Sequence, residues 1–285
     1  MNNGIIRDLD LKQASVRFIY DVILFFAVMT LFLCLAPVVW VLFSGFKDIK
    51  EFTIGKNILP ERFDLQRYIE TWKRLRFVRY YQNSFISVVG SVFCAVIFNG
   101  LLGYVLSKIK PRGAKLIYGL VMWSMLIPAT TSIVPLFINI NRIGLSGSFI
   151  PLWLSMGANA FYVIMFKNFF DVLPMSLVEA AKIDGSTDLQ IFRDIAIPLS
   201  QPIIMVIIMF SINAAWSDFL LPYLVLNNTG LETVMVRLFQ FRTATKATDV
   251  EILRAVTFVM VPPILLFLIF QKQITQVNLQ SGIKG

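Results

Sequence analysis

Residues 174–198 read PMSLVEAAKIDGSTDLQIFRDIAIP and form a long polar interruption between strongly apolar runs. Pro174 suits the first turn of a helix, because its missing N–H would have no partner there in any case. A helical pattern follows over 177–183, and Gly185 stands where a helix usually ends. The stretch therefore predicts a first short helix that stops at a glycine bend.

A second short helix is predicted directly after this bend. Thr187 and Gln190 have the spacing of a capping box, in which each side chain satisfies a backbone N–H of the other residue. The apolar residues expected on this helix, before Pro198 ends it, are Leu189, Ile191, Phe192 and Ile195. Such a pair of helices offers apolar side chains to a groove on another protein. On pattern alone, an ordinary structured loop between membrane spans fits equally well.

The composition indicates a membrane protein that crosses the bilayer several times. Of 285 residues, 57% are hydrophobic and 15% are charged, and the mean hydropathy is +0.72. These values lie outside the range of soluble globular domains. The net charge of +9 comes from basic residues that flank apolar runs, which favours the bilayer over nucleic acid as a partner.

The sequence holds little that catalysis or metal binding would need. It has no histidine, the commonest general base and metal ligand. Its two cysteines, Cys34 and Cys94, lie in separate apolar runs and are interpreted as packing residues. The sequence contains no GxxxxGK[ST] or GxGxxG loop. We therefore expect no enzyme activity and no cofactor on this chain, with any ATP and Mg²⁺ bound by another chain.

We expect an all-α, polytopic fold with six transmembrane helices. One span needs about 20 apolar residues at a rise of about 1.5 Å each. The apolar runs that qualify are 20–45, 84–107, 116–138, 148–170, 200–226 and 254–274. The first run is too long for the core of a signal peptide and is interpreted as an uncleaved span.

Local features distinguish two of these spans and one loop. In the second span, small residues recur every four positions and form a ridge suited to close helix packing: Ala95, Asn99, Gly103 and Ser107. In the last span, Pro262 and Pro263 are expected to distort the helix. Residues 46–83 mix charges with aromatic side chains and are predicted to form short helices at the membrane surface.

The short loops predict the orientation. Residues 108–115 carry four basic residues and 139–147 carry only Arg142, which places 108–115 in the cytoplasm. Six spans then put both termini and residues 174–198 in the cytoplasm. Residues 46–83 hold nine Lys or Arg against five Asp or Glu and oppose this orientation, but long loops follow the charge rule weakly.

The spelling of the central stretch resembles the EAA motif of ABC importer permeases. The residues that carry the resemblance are Glu179-Ala180-Ala181, Gly185, Ile195 and Ile197-Pro198, where the family usually has Leu in place of Ile197. The resemblance implies the type I importer (MetI-like) fold, with this segment as cytoplasmic coupling helices that dock into a cleft of an ATPase subunit. The residues it implies for coupling are Glu179, Ala180, Ala181, Asp184, Gly185, Ile195 and Pro198.

Other motifs resemble the second permease of carbohydrate importers, the maltose-permease G type. They are Gly103-Tyr104, Ile127-Pro128, Pro135-Leu136-Phe137, Trp216-Ser217-Asp218-Phe219 and the terminal Gly282 to Gly285, with Ser217 where the family usually has Asn. The resemblance implies that Gly282, Lys284 and Gly285 contact the ATPase. It divides the chain into 1–83, with the first span and a long external loop, and 84–285, the permease core with a coupling loop at 171–199 and the tail.

The resemblance also implies the partners. They are a second homologous permease, two ATPase subunits, an external solute-binding protein and a sugar, most simply an oligosaccharide. A polyol or glycerol phosphate is the alternative solute within this branch. An ion-driven transporter and a lipid-linked transferase remain alternatives, although such transporters show charges in mid-span and such enzymes clustered carboxylates.

Polar residues within apolar spans are the candidates for the solute pathway, because each is costly in lipid unless it is paired. They are Asn159, Ser211, Asn213 and Trp216. Helix-bridging hydrogen bonds are the alternative role for such residues. Residues 227–253 are expected to form a solvated outward loop, with an amphipathic piece over 234–241.

Overall fold

The computed structural model describes residues 14–55, 57–244 and 246–282, without the side chains of 129, 244 and 272–282. The regular elements within these residues are helices, as predicted. In the N-terminal half they are α1 Ala14–Ser44, α2 Ile49–Ile54, α3 Leu65–Leu75, α4 Phe77–Tyr104, which continues into a π-helical turn Val105–Ile109, α5 Ala114–Ser124 and α6 Ala129–Arg142. In the C-terminal half they are α7 Ile150–Gly157, α8 Ala160–Val172, α9 Met175–Ile183, α10 Asp188–Ile191, a second π-helical turn Phe192–Ala196, α11 Ile197–Leu199, α12 Gln201–Ser217, α13 Leu220–Leu226, α14 Val234–Ala244 and α15 Asp249–Gly282.

Within the described residues, three helices are long and apolar enough to cross a membrane by length and composition. They are α1, the continuous helix Phe77–Ile109 and the segment Asp249–Gln271. Two further pairs qualify if each is counted as one bent span: α8 with α9, bent by 77°, and Asp188–Leu199 with α12, bent by 83°. The chain is thus a multi-pass membrane protein, and the number of six spans remains a prediction.

Three of the predicted spans are each divided between two helices. The breaks lie at Pro128, at Ala158-Asn159 and at Asp218. A proline disfavours helical backbone in the residue before it, and Asn and Asp side chains can cap the helix that follows. The side chain of Asn159 does so, accepting the backbone N–H of Tyr162 at 3.2 Å.

The described residues fall into two compact units, and the first contains the chain through Arg74 together with Ala247–Thr257. In this unit, Arg254 is buried and its guanidinium donates to the carbonyl oxygens of Gly45 and Lys47 at 2.6 and 3.0 Å. The Tyr68 hydroxyl donates to the carbonyl of Leu42 at 2.7 Å. The last carbonyl groups of α1 and of the turn after it are thereby satisfied by side chains from α3 and α15.

The second unit contains Leu75–Lys246 and Phe258–Gly285, and α4 packs there against α7, α8 and α12. The small-residue ridge predicted on α4 is buried at this contact. A Cβ atom added at Gly103 would lie 2.7 Å from the Cβ of Phe166, so α8 approaches α4 as closely as the predicted ridge requires. The boundary predicted between residues 83 and 84 remains a prediction.

The buried side chain of Asn99 joins α4 to the break between α7 and α8. Its amide nitrogen donates to the carbonyls of Ala95 and Met156 at 2.8 and 3.0 Å, and its oxygen accepts the N–H of Asn159 at 3.0 Å. Backbone groups freed at a helix break must be paired where no water reaches them. Asn99 therefore pairs one carbonyl and one N–H that the break leaves unbonded.

Replacing Asn99 with leucine is expected to destabilise the folded protein by about 2 kcal/mol, because it leaves buried backbone groups unpaired. The thermal unfolding midpoint of the assembled protein in detergent measures this effect. Asn213→Leu is the matched control, since Asn213 is exposed on α12 and faces a cavity. Equal midpoints for the two variants would contradict the role of Asn99.

The structure corrects one expectation about the C-terminal half and shows how the helix with Pro262 and Pro263 is built. Residues 234–241 are not a solvated loop: they belong to α14, where Val234, Val236 and Phe241 are buried. The N–H of Val234 donates to the hydroxyl of Ser84 at 2.9 Å, so α14 packs against α4 rather than facing water. The helix α15 continues through Pro262 and Pro263 without a break.

Candidate coupling site

The stretch 174–198 forms the predicted bend between two helices. Helix α9 begins directly after Pro174, and Gly185 follows its end with a φ of +85°. The N–H of Gly185 donates to the carbonyl of Lys182 at 3.1 Å, and that of Ser186 to the carbonyl of Ala181 at 2.9 Å. This pair of bonds is the Schellman motif, which requires a left-handed residue at the position that Gly185 holds.

The second helix begins with the predicted capping box. The N–H of Thr187 donates to the side-chain oxygen of Gln190 at 2.8 Å, and the N–H of Gln190 donates to the Thr187 hydroxyl at 3.4 Å. The expected end at Pro198 was wrong, because the helix continues to Leu199 and the bend follows at Ser200. A π-helical turn precedes Pro198 and widens the helix at the place where the proline ring would otherwise clash with the preceding turn.

One side of this segment packs onto the rest of the second unit. The buried residues on that side are Val178, Ala181, Ile191, Phe192 and Ala196, and they share an apolar cluster with Tyr104, Phe166 and Phe170. The Phe192 ring lies 5.3 Å from the ring of Tyr104. The cluster anchors the segment to α4 and α8.

The other side presents large apolar side chains that nothing in the described chain covers. Ile183 is 86% exposed and Leu189 is 67% exposed, on either side of the bend. Lys182 and Asp188 form an exposed ion pair across the bend at 3.0 Å, and Arg193 pairs with Asp194 at 2.6 Å. Exposed ion pairs of this kind contribute little to stability. The packing of the buried side therefore holds the segment in place.

The residues predicted for coupling lie on both sides of the segment. Five are exposed: Glu179, Ala180, Asp184, Gly185 and Pro198. Ala181 is buried in the cluster, and Ile195 is partly buried against it. Their role in docking remains a prediction. Gly282 is the last described residue, and Lys284 and Gly285 lie outside the described residues.

The structure does not bring the predicted pathway residues together. Ser211 is fully buried and donates to the carbonyl of Ile208 at 3.0 Å, and the indole of Trp216 donates to the carbonyl of Val259 at 3.1 Å. Asn213 and Trp216 line a cavity of about 250 Å³. Asn159 lines a different cavity of about 990 Å³.

The larger cavity lies where the three divided spans break. Its lining includes Pro128, Asn159 and Asp218, one from each break, together with further polar residues at Ser124, Ser132, Asn139 and Ser155. Among the described residues that line it, Asp218 alone has an acidic or basic side chain. Of the residues predicted for the solute pathway, Asn159 lines this cavity and the other three do not. The helix-breaking residues at 128, 159 and 218 were the further signal in the sequence that could have indicated the cavity.

Comparison with known proteins connects these features to one family. Residues 95–276 match the family described as binding-protein-dependent transport system inner membrane component. The diacetylchitobiose uptake system permease protein NgcG of Streptomyces coelicolor is 29% identical over 84% of this chain and 81% of that protein. The polygalacturonan/rhamnogalacturonan transport system permease protein YtcP of Bacillus subtilis is 31% identical over 78% of each chain.

A solved structure shares the fold. A chain of a bacterial ABC transporter involved in the import of the acidic polysaccharide alginate has a TM-score of 0.80 and 23% identity, covering 91% of this chain and 98% of that chain. Family members are transport subunits that work with a solute-binding protein, a second permease and an ATPase. The ATPase binds the nucleotide. The matched residues make up well over half of this chain, which therefore belongs to the family of inner membrane components of binding-protein-dependent ABC transport systems and is a permease subunit rather than an enzyme.

Proposed function

We propose that this chain forms half of the translocation pathway of an ATP-driven oligosaccharide importer and receives the ATPase movement through residues 174–198. The observation that carries the proposal is the helix–bend–helix segment, which lies between bends of 77° and 83° and exposes Ile183 and Leu189. The names of the relatives support a carbohydrate as the transported solute. One is a permease of a diacetylchitobiose uptake system and another is a permease of a polygalacturonan/rhamnogalacturonan transport system.

The exposed side of the segment supports docking into a cleft of the ATPase. Apolar side chains on a short helix bind a partner by filling its pockets, and small residues allow close approach. Ile183 and Leu189 are the apolar contacts, with Ala180 and Gly185 close to them in the chain. In this proposal two ATPase subunits lie in the cytoplasm, where both termini of this chain also lie, and the solute-binding protein delivers sugar from outside.

We assign the solute pathway of this subunit to the cavity of about 990 Å³, which keeps Asn159 and replaces Ser211, Asn213 and Trp216, since these three do not line it. Sugars are bound by hydroxyl-bonding side chains, and this cavity offers the amides of Asn139 and Asn159 and the carboxyl of Asp218. The described residues that line the cavity include no lysine or arginine that would pair with a phosphate, so the cavity favours a neutral sugar over glycerol phosphate.

Import by the assembled transporter tests this assignment. The importer is reconstituted in liposomes with its binding protein, and the uptake of radiolabelled diacetylchitobiose, melibiose and glycerol 3-phosphate is measured. A neutral sugar is expected to be imported, and Asn139→Ala and Asp218→Asn are each expected to raise its KM about fivefold.

Ser211→Ala is the matched control, because Ser211 is buried in helix packing and does not line the cavity. Its KM is expected to stay within about twofold of the original value. Import of glycerol 3-phosphate alone, or equal KM values for all variants, would contradict the assignment. A chain that copurifies with no ATPase would contradict the proposed function as a whole.

A further inference from the structure

The C-terminal end of α8 is gripped by side chains from the π-helical turn that follows α4. The hydroxyl of Ser107 donates to one carboxylate oxygen of Asp171 at 2.6 Å. The ammonium group of Lys108 donates to the carbonyl of Leu173 at 2.6 Å. Leu173 is the residue that ends α8, and α9 of the coupling segment begins two residues later at Met175.

Asp171 connects this turn to a third element. Its second carboxylate oxygen accepts a hydrogen bond from Lys167 at 2.5 Å, and the Lys167 ammonium lies 4.7 Å from the centre of the Tyr118 ring on α5. Hydrogen bonds between ionised and polar groups are among the stronger ones in proteins. Ser107 is buried, whereas Asp171 is exposed, so the bond between them lies at the edge of the packed interior.

Both residues of α4's continuation that make these contacts lie in the π-helical turn Val105–Ile109. A serine inside a regular helix commonly returns its hydroxyl to the carbonyl four residues earlier, whereas Ser107 donates to a residue 64 positions away in the chain. Single π-helical turns are frequent at functional sites. Directly before this turn, the Tyr104 ring lies against Phe170 of α8 and Phe192 of the second π-helical turn, at 5.7 and 5.3 Å.

We propose that Ser107, Lys108 and Asp171 form a clamp that makes the coupling segment and α4 move as one body. The apolar cluster holds one side of the coupling segment on α4 and α8. The clamp adds polar bonds at the joint between α8 and α9, which is bent by 77°, and so limits hinge motion there that would absorb part of the movement of α9. The three side chains are positioning residues, because they contact helix ends rather than nucleotide or solute. This inference rests on the proposed coupling function of residues 174–198.

In the clamp, Lys108 has a second role beside its effect on membrane orientation. The sequence pattern assigned Lys108 and Lys110 to membrane orientation alone. In the structure Lys108 bonds the carbonyl that ends α8. A lysine near a helix C-terminus is favourably placed relative to the helix dipole, which strengthens this grip.

The experiment compares Ser107→Ala and Asp171→Ala in the complete importer reconstituted in liposomes. Three quantities are measured: the ATPase subunits retained on purification, ATP hydrolysis stimulated by the loaded binding protein, and sugar imported per ATP hydrolysed. The sugar is radiolabelled diacetylchitobiose or melibiose, whichever the binding protein takes up. Both variants are expected to retain the ATPase and most hydrolysis, while the sugar imported per ATP falls about tenfold for Asp171→Ala and about fivefold for Ser107→Ala.

Asp64→Ala is the control, because it also removes an exposed carboxylate that makes local bonds, outside the coupling segment: Asp64 precedes α3, pairs with Arg67 at 3.3 Å and accepts the N–H of Gln66 at 3.0 Å. Its import ratio is expected to equal that of the original protein. An unchanged ratio in both clamp variants, or loss of the ATPase from both, would overturn the clamp. Failure of the unmodified importer to retain an ATPase or to take up sugar would instead contradict the proposed function.

Discussion

Gly185→Val is expected to lower sugar uptake at least about tenfold while the permease remains folded and inserted. Gly185 has a φ of +85°, a region that a β-branched residue occupies only at a cost of about 1–3 kcal/mol. A Cβ atom at this position would meet no atom within 4 Å, so the cost comes from the backbone alone. The bend must open to relieve it, which moves Ile183 and Leu189 out of register with each other.

Two variants separate this effect from general destabilisation. Gly185→Asn is expected to keep most of the uptake, because asparagine adopts left-handed backbone more readily than valine does. Gly113→Val introduces the same strain elsewhere, since Gly113 has a φ of +88° and a Cβ atom added there would also meet nothing within 4 Å. The measurements are sugar uptake, ATP hydrolysis and the thermal unfolding midpoint. If Gly113→Val lowers uptake as much as Gly185→Val, the bend has no special role in coupling.

The bend and its capping were predictable because their signals are local. Gly185 satisfies a conformation that few other residues adopt, and Thr187 and Gln190 bond to each other across three positions. The ridge on α4 was equally readable, since residues at four-residue spacing share one face of a helix whatever packs against it. Such features depend on residues close together in the chain.

The clamp and the large cavity were not predictable in this way. Asp171 and Ser107 are 64 positions apart, and Ser107 lies in a π-helical turn that the sequence patterns did not predict. The cavity requires three helix breaks to meet in space, although each break taken singly has a readable cause in Pro128, Asn159 or Asp218. Each depends on how helices pack, which residue spacing within one helix does not determine.

The burial of α14 shows the same limit from another side. An amphipathic segment over 234–241 fits a helix on a membrane surface and a helix on a protein core equally well. Two side chains on α4 stabilise the packed position. The hydroxyl of Ser84 accepts the N–H of Val234, and the amide of Asn83 donates to the carbonyl of Glu232. Backbone groups can be buried without a large cost when side chains on a neighbouring helix form hydrogen bonds with them, as these do.

Gly103→Val is expected to destabilise the folded permease by about 3 kcal/mol or more, the upper range for overpacked cores. A Cβ atom at Gly103 would lie 2.7 Å from the Cβ of Phe166, 3.0 Å from the N of Lys167 and 3.2 Å from the carbonyl oxygen of Val163. Two of these atoms are backbone, and the Cβ of Phe166 cannot rotate away. The substitution must therefore push α8 from α4, which also strains the bonds that Ser107 and Asn99 make across this contact.

Gly119→Val provides the matched control on α5, where a Cβ atom would meet nothing within 4 Å. Valine forms helix slightly better than glycine, so this variant is expected to unfold at or slightly above the original midpoint. The thermal midpoint and the yield of assembled transporter in detergent measure both variants. Opposite signs for the two substitutions follow only if α4 and α8 touch at Gly103 as closely as the structure shows, because helix propensity alone predicts the same small gain at both positions. Similar midpoints for the two variants would mean that this contact is looser, and the coupling segment would then lack the rigid support that α8 provides.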